Sequence, residues 1–119
     1  MTLQDVQDRS KEKGHPWEIA KGFGGSCPIS PFVPAADVSN PQDLLLSMSV
    51  NGALRHNDST KLMIWQIPAI VAAAAQYFTL EPGDVVLTEA PAGVGPLEPG
   101  DNLEMKIESV GDYTSAVAQ

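Results

Sequence analysis

A chain of 119 residues has room for one domain with a core, but not for two. Seven basic against 15 acidic residues give a formal charge of −8, which argues against nucleic acid or an anionic membrane surface as partner. No apolar run approaches the roughly 18 residues of a membrane span. The single cysteine, Cys27, excludes an internal disulfide and fits a reducing compartment. The acidic start lacks the apolar stretch of a signal peptide, so the expected location is cytoplasmic or mitochondrial.

In chain order, residues 2–13 predict a short helix. Thr2 and Asp5 have the spacing of a capping box, with Asp in place of Glu. Leu3, Val6 and Gln7 share a face, and Gly14 is the expected stop. Cys27 reads as a small packed thiol rather than a nucleophile, because a reactive cysteine needs a base and an electropositive setting. Residues 34–43 are a linker by composition. Leu44, Leu46, Met48 and Val50 then alternate with Leu45, Ser47 and Ser49, the period of a half-buried strand. Asn51-Gly52 follows, and Ala53-Leu54-Arg55 resumes the pattern, which predicts a hairpin with a two-residue type I′ turn.

His56 to Lys61 is polar and is expected to be an exposed loop. His56 with Asp58 has the look of a ligand pair, but two side chains in a solvated loop are no metal site without a third. A helix is expected over 67–78, with Pro68 at its first position and Ala72 to Ala75 of high propensity. Ile67, Ile70, Val71, Ala74 and Phe78 form its apolar stripe, read as core packing.

The stretch from Thr79 to Asp101 carries the strongest pattern. Leu-Glu-Pro-Gly-Asp occurs at 80–84 and again at 97–101. Pro-Gly suits the two central positions of a type II turn, since proline presets the first φ and glycine takes a positive second φ cheaply. Two turns of one kind are thus expected to launch two strands. The first, Val85-Val86-Leu87-Thr88, reads as buried; the second alternates Leu103, Met105 and Ile107 with charged residues. Between them lies a Pro/Gly loop, Pro91 to Gly95, of the kind that lets a ligand approach the backbone. The tail from Gly111 reads as a weaker further strand. The order of elements predicts an α+β fold, mainly β.

The segment GDVVLTEAPAGVGPLEPGD resembles a signature near the C-terminus of the fumarylacetoacetate hydrolase family, in its acylpyruvase and oxaloacetate decarboxylase branch. Asp5-Val6-Gln7 followed by Gly14-His15-Pro16-Trp17 is similar to a second family segment, Lys21-Gly22-Phe23 to a third, and Thr60 with Met63-Ile64-Trp65 to a fourth. The resemblance implies a partial mixed β-roll with two short helices, and one domain over 1–119 that lacks the family's N-terminal portion. Family members are typically dimers, so a homo-oligomer is expected, with a small keto acid as ligand and neither nucleic acid nor membrane as partner.

Site roles follow from the same resemblance. Lys21 stands at the family position that carries positive charge towards the substrate carboxylate or enolate, although a lone lysine is ordinarily a surface residue. Gln7 and Lys21, with positions 89 and 90, are the substrate-binding positions, and Lys21 and the 89–95 loop are expected to line one cleft with Gln7 near. The motif departs from the family at two of these: Glu89 replaces a glycine, and Ala90 a threonine that faces substrate.

Family members hold Mg²⁺ or Mn²⁺ through an E-x-E pair and a later aspartate. The seven glutamates here, at 12, 18, 81, 89, 98, 104 and 108, include no such pair, and the aspartate would precede Met1. The His/Glu pair that activates water is also absent. No metal ligand and no bound metal are therefore expected for this chain alone. Two readings stand: part of a metal-dependent C–C hydrolase or decarboxylase that depends on a missing half, or a relative repurposed for binding, self-association or metal-free isomerase or cyclase chemistry.

Overall fold

The computed structural model describes every residue except Glu89, Pro91 and Gln119. It falls into two compact units, residues 1–31 and 32–119.

The first unit is built on one helix, α1 (Gln4–Glu12). It begins one residue later than the capping-box reading: Leu3, not Thr2, occupies the N-cap, and no side chain caps the first turn. Instead the Leu3 amide donates to the Ala20 carbonyl at 3.0 Å, tying the helix start to a 3-10 turn over Glu18–Ala20. Ala20 is fully buried at that junction. The C-terminus ends as expected, with Gly14 at φ +65° donating its amide to Lys11. Lys11 lies over the Trp17 ring, 4.9 Å from its centroid. Cys27 is exposed, not packed as the sequence suggested; it sits in a Gly/Pro-rich segment with no apolar face to close over the thiol.

The second unit is a four-stranded antiparallel sheet in the order β2-β1-β3-β4, with strands β1 (Leu45–Val50), β2 (Ala53–Ser59), β3 (Asn102–Ile107) and β4 (Gly111–Ala116). The expected hairpin joins β1 to β2. Asn51 and Gly52 take φ of +50° and +78°, the two positive values a type I′ turn requires. Val50 pairs with Leu103 on the neighbouring strand, and both are buried, each 5% exposed. Leu44, one residue before β1, is the other large buried side chain among the described residues of this unit.

Both Leu-Glu-Pro-Gly-Asp segments fold into the same turn. Asp84 and Asp101 donate their amides to the carbonyls of Glu81 and Glu98, and their carboxylates accept from the amides of the same two residues at 2.8 Å. Gly83 and Gly100 supply the positive φ, +103° and +92°. The second turn launches β3, as expected; the first launches no strand. Val85 to Thr88 is exposed and irregular, contrary to the buried strand read from its β-branched run. A strand exists only where a ladder partner stands beside it, and none does among the described residues.

Two further expectations are corrected. His56 lies in β2, not in an exposed loop, because β1 offers backbone partners as far as Leu45 opposite Ser59. The second helix, α2 (Ile67–Ala74), starts at the expected Ile67, with Pro68 second rather than first, but ends four residues short of Phe78, and none of its residues is buried. Its stripe is not core: Ile67, Ile70 and Ala74 are half-buried, and Val71 and Phe78 are exposed. No helix among the described residues is long and apolar enough to cross a membrane.

Two outcomes follow. Leu103→Ala removes a side chain from the centre of a thin core and should lower unfolding free energy by about 2–5 kcal/mol, measured by urea denaturation; exposed Leu45→Ala should change it little. Asp101 is held below its ordinary pKa of 3.8, first by the Glu98 amide, then by the Asn51 side chain and the charge of Arg55, with burial opposing. A depressed folded-state pKa contributes stability that is complete above the ordinary value and is lost as pH falls through the folded one. The melting temperature of Asp101→Asn should therefore fall less steeply than wild type as pH drops from about 5 to about 2.

Candidate functional site

Gln7 and Lys21 belong to the first unit. The Leu3–Ala20 backbone bond that fixes the start of α1 also fixes the turn that Lys21 closes, with the Lys21 amide donating to Glu18 at 2.9 Å. Lys21 is exposed, and its ammonium enters no ion pair among the described residues. Gln7 is different. It is the one buried residue of α1, 8% exposed, and its side-chain oxygen Oε1 is buried with no hydrogen-bond partner among the described residues. An orphaned buried acceptor costs about 1–3 kcal/mol, so its retention on an otherwise polar helix is a pointer to a ligand.

The Pro/Gly loop belongs to the second unit. Glu89 and Pro91 lie outside the described residues; Ala90 is exposed, as are Ala92 to Gly95. This loop is seated on β2. The Ala92 carbonyl bonds the Nδ1 of His56. A Cβ added at Gly93 would collide with the Arg55 carbonyl, and one at Gly95 with the Arg55 guanidinium. Sequence reasoning treated His56 as an exposed candidate ligand of little weight. The ring is buried, 8% exposed, and turned to the loop backbone. Nothing in the sequence shows that contact, since it spans 36 residues.

Among the described residues, no three of His, Cys, Asp and Glu converge as a metal site would need. Asp84 and Asp101, the aspartates on either side of the loop, each have a carboxylate oxygen committed to the amide of Glu81 or Glu98.

Residues 1–118 match the family described as Fumarylacetoacetate (FAA) hydrolase C-terminal. The chain is 44% identical to the mitochondrial oxaloacetate tautomerase FAHD1 of Homo sapiens, over 98% of this chain and 53% of that protein. It is 49% identical to the oxaloacetate tautomerase YcgM of Escherichia coli (strain K12), over 91% of this chain and 50% of that protein. Among solved structures it superposes on the fumarylpyruvate hydrolase of Pseudomonas aeruginosa in complex with Mn²⁺ and pyruvate. The TM-score is 0.93 at 37% identity, covering 99% of this chain and 51% of that one. The chain thus spans about half the length of the relatives it matches. The four-stranded antiparallel sheet with two short helices superposes on these family structures, and the chain belongs to the fumarylacetoacetate hydrolase family.

Proposed function

We propose that this chain, as one family domain, supplies the substrate-orienting part of a site for a small α-keto acid, and that the carboxylates holding the family's Mg²⁺ or Mn²⁺ lie outside these 119 residues. The observation that carries the reading is the buried Gln7 side chain with its unpartnered Oε1. An acceptor with nothing to accept from is complementary to a hydroxyl, and the enol of an α-keto dicarboxylate presents one. The relatives named oxaloacetate tautomerases, and the hydrolase solved with pyruvate, make keto acids the natural class.

In keto–enol interconversion the enol oxygen loses a proton and the adjacent carbon gains one, through an enolate. The Gln7 oxygen orients the enol O–H, and the Lys21 ammonium is the counter-charge for a substrate carboxylate and the developing enolate. C–C hydrolysis of an acylpyruvate, or decarboxylation, passes through the same kind of enolate, so the two residues serve either outcome. Ala90, at the threonine position of the motif, gives up a hydroxyl towards the substrate. Glu89, at the glycine position, adds a negative charge that disfavours an anionic ligand. Those two substitutions favour the second reading, a relative turned to binding or to metal-free isomerisation. The family's divalent ion would act as a Lewis acid on the keto acid. The relatives' mitochondrial names extend to this chain only as part of the same proposal.

The test has two arms. Pyruvate titrated into labelled protein should perturb the resonances of Gln7 and Lys21, and Gln7→Leu and Lys21→Ala should each weaken that response; no response sinks the keto-acid reading. Hydrolytic cleavage of an acylpyruvate should be absent with the chain alone, because the His/Glu pair that activates water in the family, worth about 10²–10⁴ in rate, is not in this sequence. It should remain absent in Glu89→Gly/Ala90→Thr, and appear when a family N-terminal half bearing E-x-E and aspartate is fused on. Metal-dependent turnover by the unmodified chain, lost in EDTA and in Lys21→Ala, would show the missing-ligand reading to be wrong.

Self-association belongs to the same proposal. Leu62, Ile64, Trp65, Tyr77, Phe78 and Leu87 are exposed, Ile64 to 93%, and β2 and β4 are the sheet's edges. Exposed apolar side chains and unpaired strand edges both recruit a second copy. Analytical ultracentrifugation should show a concentration-dependent dimer, and a sharp monomer over a wide concentration range would count against it.

A further inference from the structure

The β1–β2 ladder is interrupted at one place. Met48 stands opposite His56, but Ser49 stands opposite Leu54, so Arg55 is an extra residue with no partner on β1. A bulge of this kind bends its strand and re-aims the groups at the extra residue. Three contacts with one loop converge there. The backbone of Gly93, at φ +105°, approaches the Arg55 carbonyl so closely that any Cβ would overlap it, and would lie 3.0 Å from the His56 Nδ1. The backbone of Gly95 meets the Arg55 guanidinium in the same way. The His56 ring, buried beside them, bonds the Ala92 carbonyl through Nδ1.

We propose that His56 is a positioning residue: with the Arg55 bulge it forms a cradle that fixes the Ala92–Gly95 backbone, and so sets the conformation of the loop two residues beyond Ala90. The inference rests on the keto-acid reading for what the loop presents, but the cradle is defined by contacts within one unit. A carbonyl oxygen can only accept, so the Nδ1 must carry the proton. Both the Nδ1–H neutral tautomer and the protonated ring satisfy that condition, whereas the Nε2–H tautomer does not. The cradle therefore fixes the tautomer of His56 and persists when the ring gains a proton. Gly93 is required on the other side, because the loop seats only where a residue has neither a Cβ nor an aversion to positive φ.

Nitrogen-15 spectra of the wild-type imidazole test the proposal directly. The neutral ring should show a protonated Nδ1 and a bare Nε2; a neutral ring protonated at Nε2 overturns the proposal without any variant. In His56→Leu, the backbone order parameters of Ala92 to Gly95 should fall below about 0.6, with the resonances of β3 and β4 unmoved. In His56→Gln, whose amide can still donate to Ala92, most of that order should return. Gly93→Ala should free the loop as His56→Leu does, while leaving the ring's tautomer unenforced. Unchanged loop order in a folded His56→Leu, or equal loss in the Leu and Gln variants, overturns the assignment. Should His56→Leu fail to fold, the wild-type tautomer and Gly93→Ala still decide it. None of these measurements needs turnover or bound keto acid, so failure of the cradle and failure of the proposed function are separate results.

Discussion

The sheet depends on a clasp between two turns fifty residues apart. Asn51, at the tip of the β1–β2 hairpin, donates its side-chain amide to the Asp101 carboxylate at 2.7 Å and accepts the Asn102 amide on its side-chain oxygen at 2.9 Å. Its own backbone amide reaches the Asn102 carbonyl. Asp101 is in turn held by its place in the second Leu-Glu-Pro-Gly-Asp turn, where it also accepts from Glu98. One asparagine in a left-handed conformation thus reads the end of β3, and the β1–β3 register follows from it, with Val50 opposite Leu103. Slip by one residue and every side chain of β3 changes face. The thin core of Val50 and Leu103 does not by itself hold the strands to one register; the clasp does.

From that sheet the loop bearing the family motif is positioned by backbone rather than by side-chain packing. Arg55 and His56 touch it where β2 bulges, and Gly93 faces the Arg55 carbonyl where no Cβ fits. The first unit contributes its residues by a comparable local device. The Leu3–Ala20 bond fixes both α1, which carries Gln7, and the turn that Lys21 closes. In each unit the candidate functional residue sits next to a non-local backbone constraint, which is how a small fold holds a group still without a large core.

The misread segments have a common cause. Val85 to Thr88 has the composition of a buried strand and the α2 stripe that of a core face, yet both are solvent-facing. Composition reports what a segment could bury against, not whether the partner is present. The family comparison gives that observation its scale, since the chain accounts for about half of each relative's length. His56 failed in the opposite direction: a polar neighbourhood suggested a solvated loop, but ladder bonds to β1 carried the strand through it.

Turn chemistry was legible in the sequence alone. Asn51-Gly52, the two Pro-Gly-Asp turns, the helix stop at Gly14 and the period-two pattern of β1 and β3 are decided within four or five residues, by φ preference and alternation, and each is found where those rules put it. The family signature is legible for the same reason, being a run of local backbone requirements. Tertiary structure alone decided which apolar runs were covered, where β2 gained its extra residue, that His56 turns inward to the loop, and that the Gln7 oxygen is buried without a partner. The His56 contact spans 36 residues, and closure over such a distance leaves no trace in the local composition of either end; the bulge and the Gln7 burial are set by packing between elements, which composition does not record.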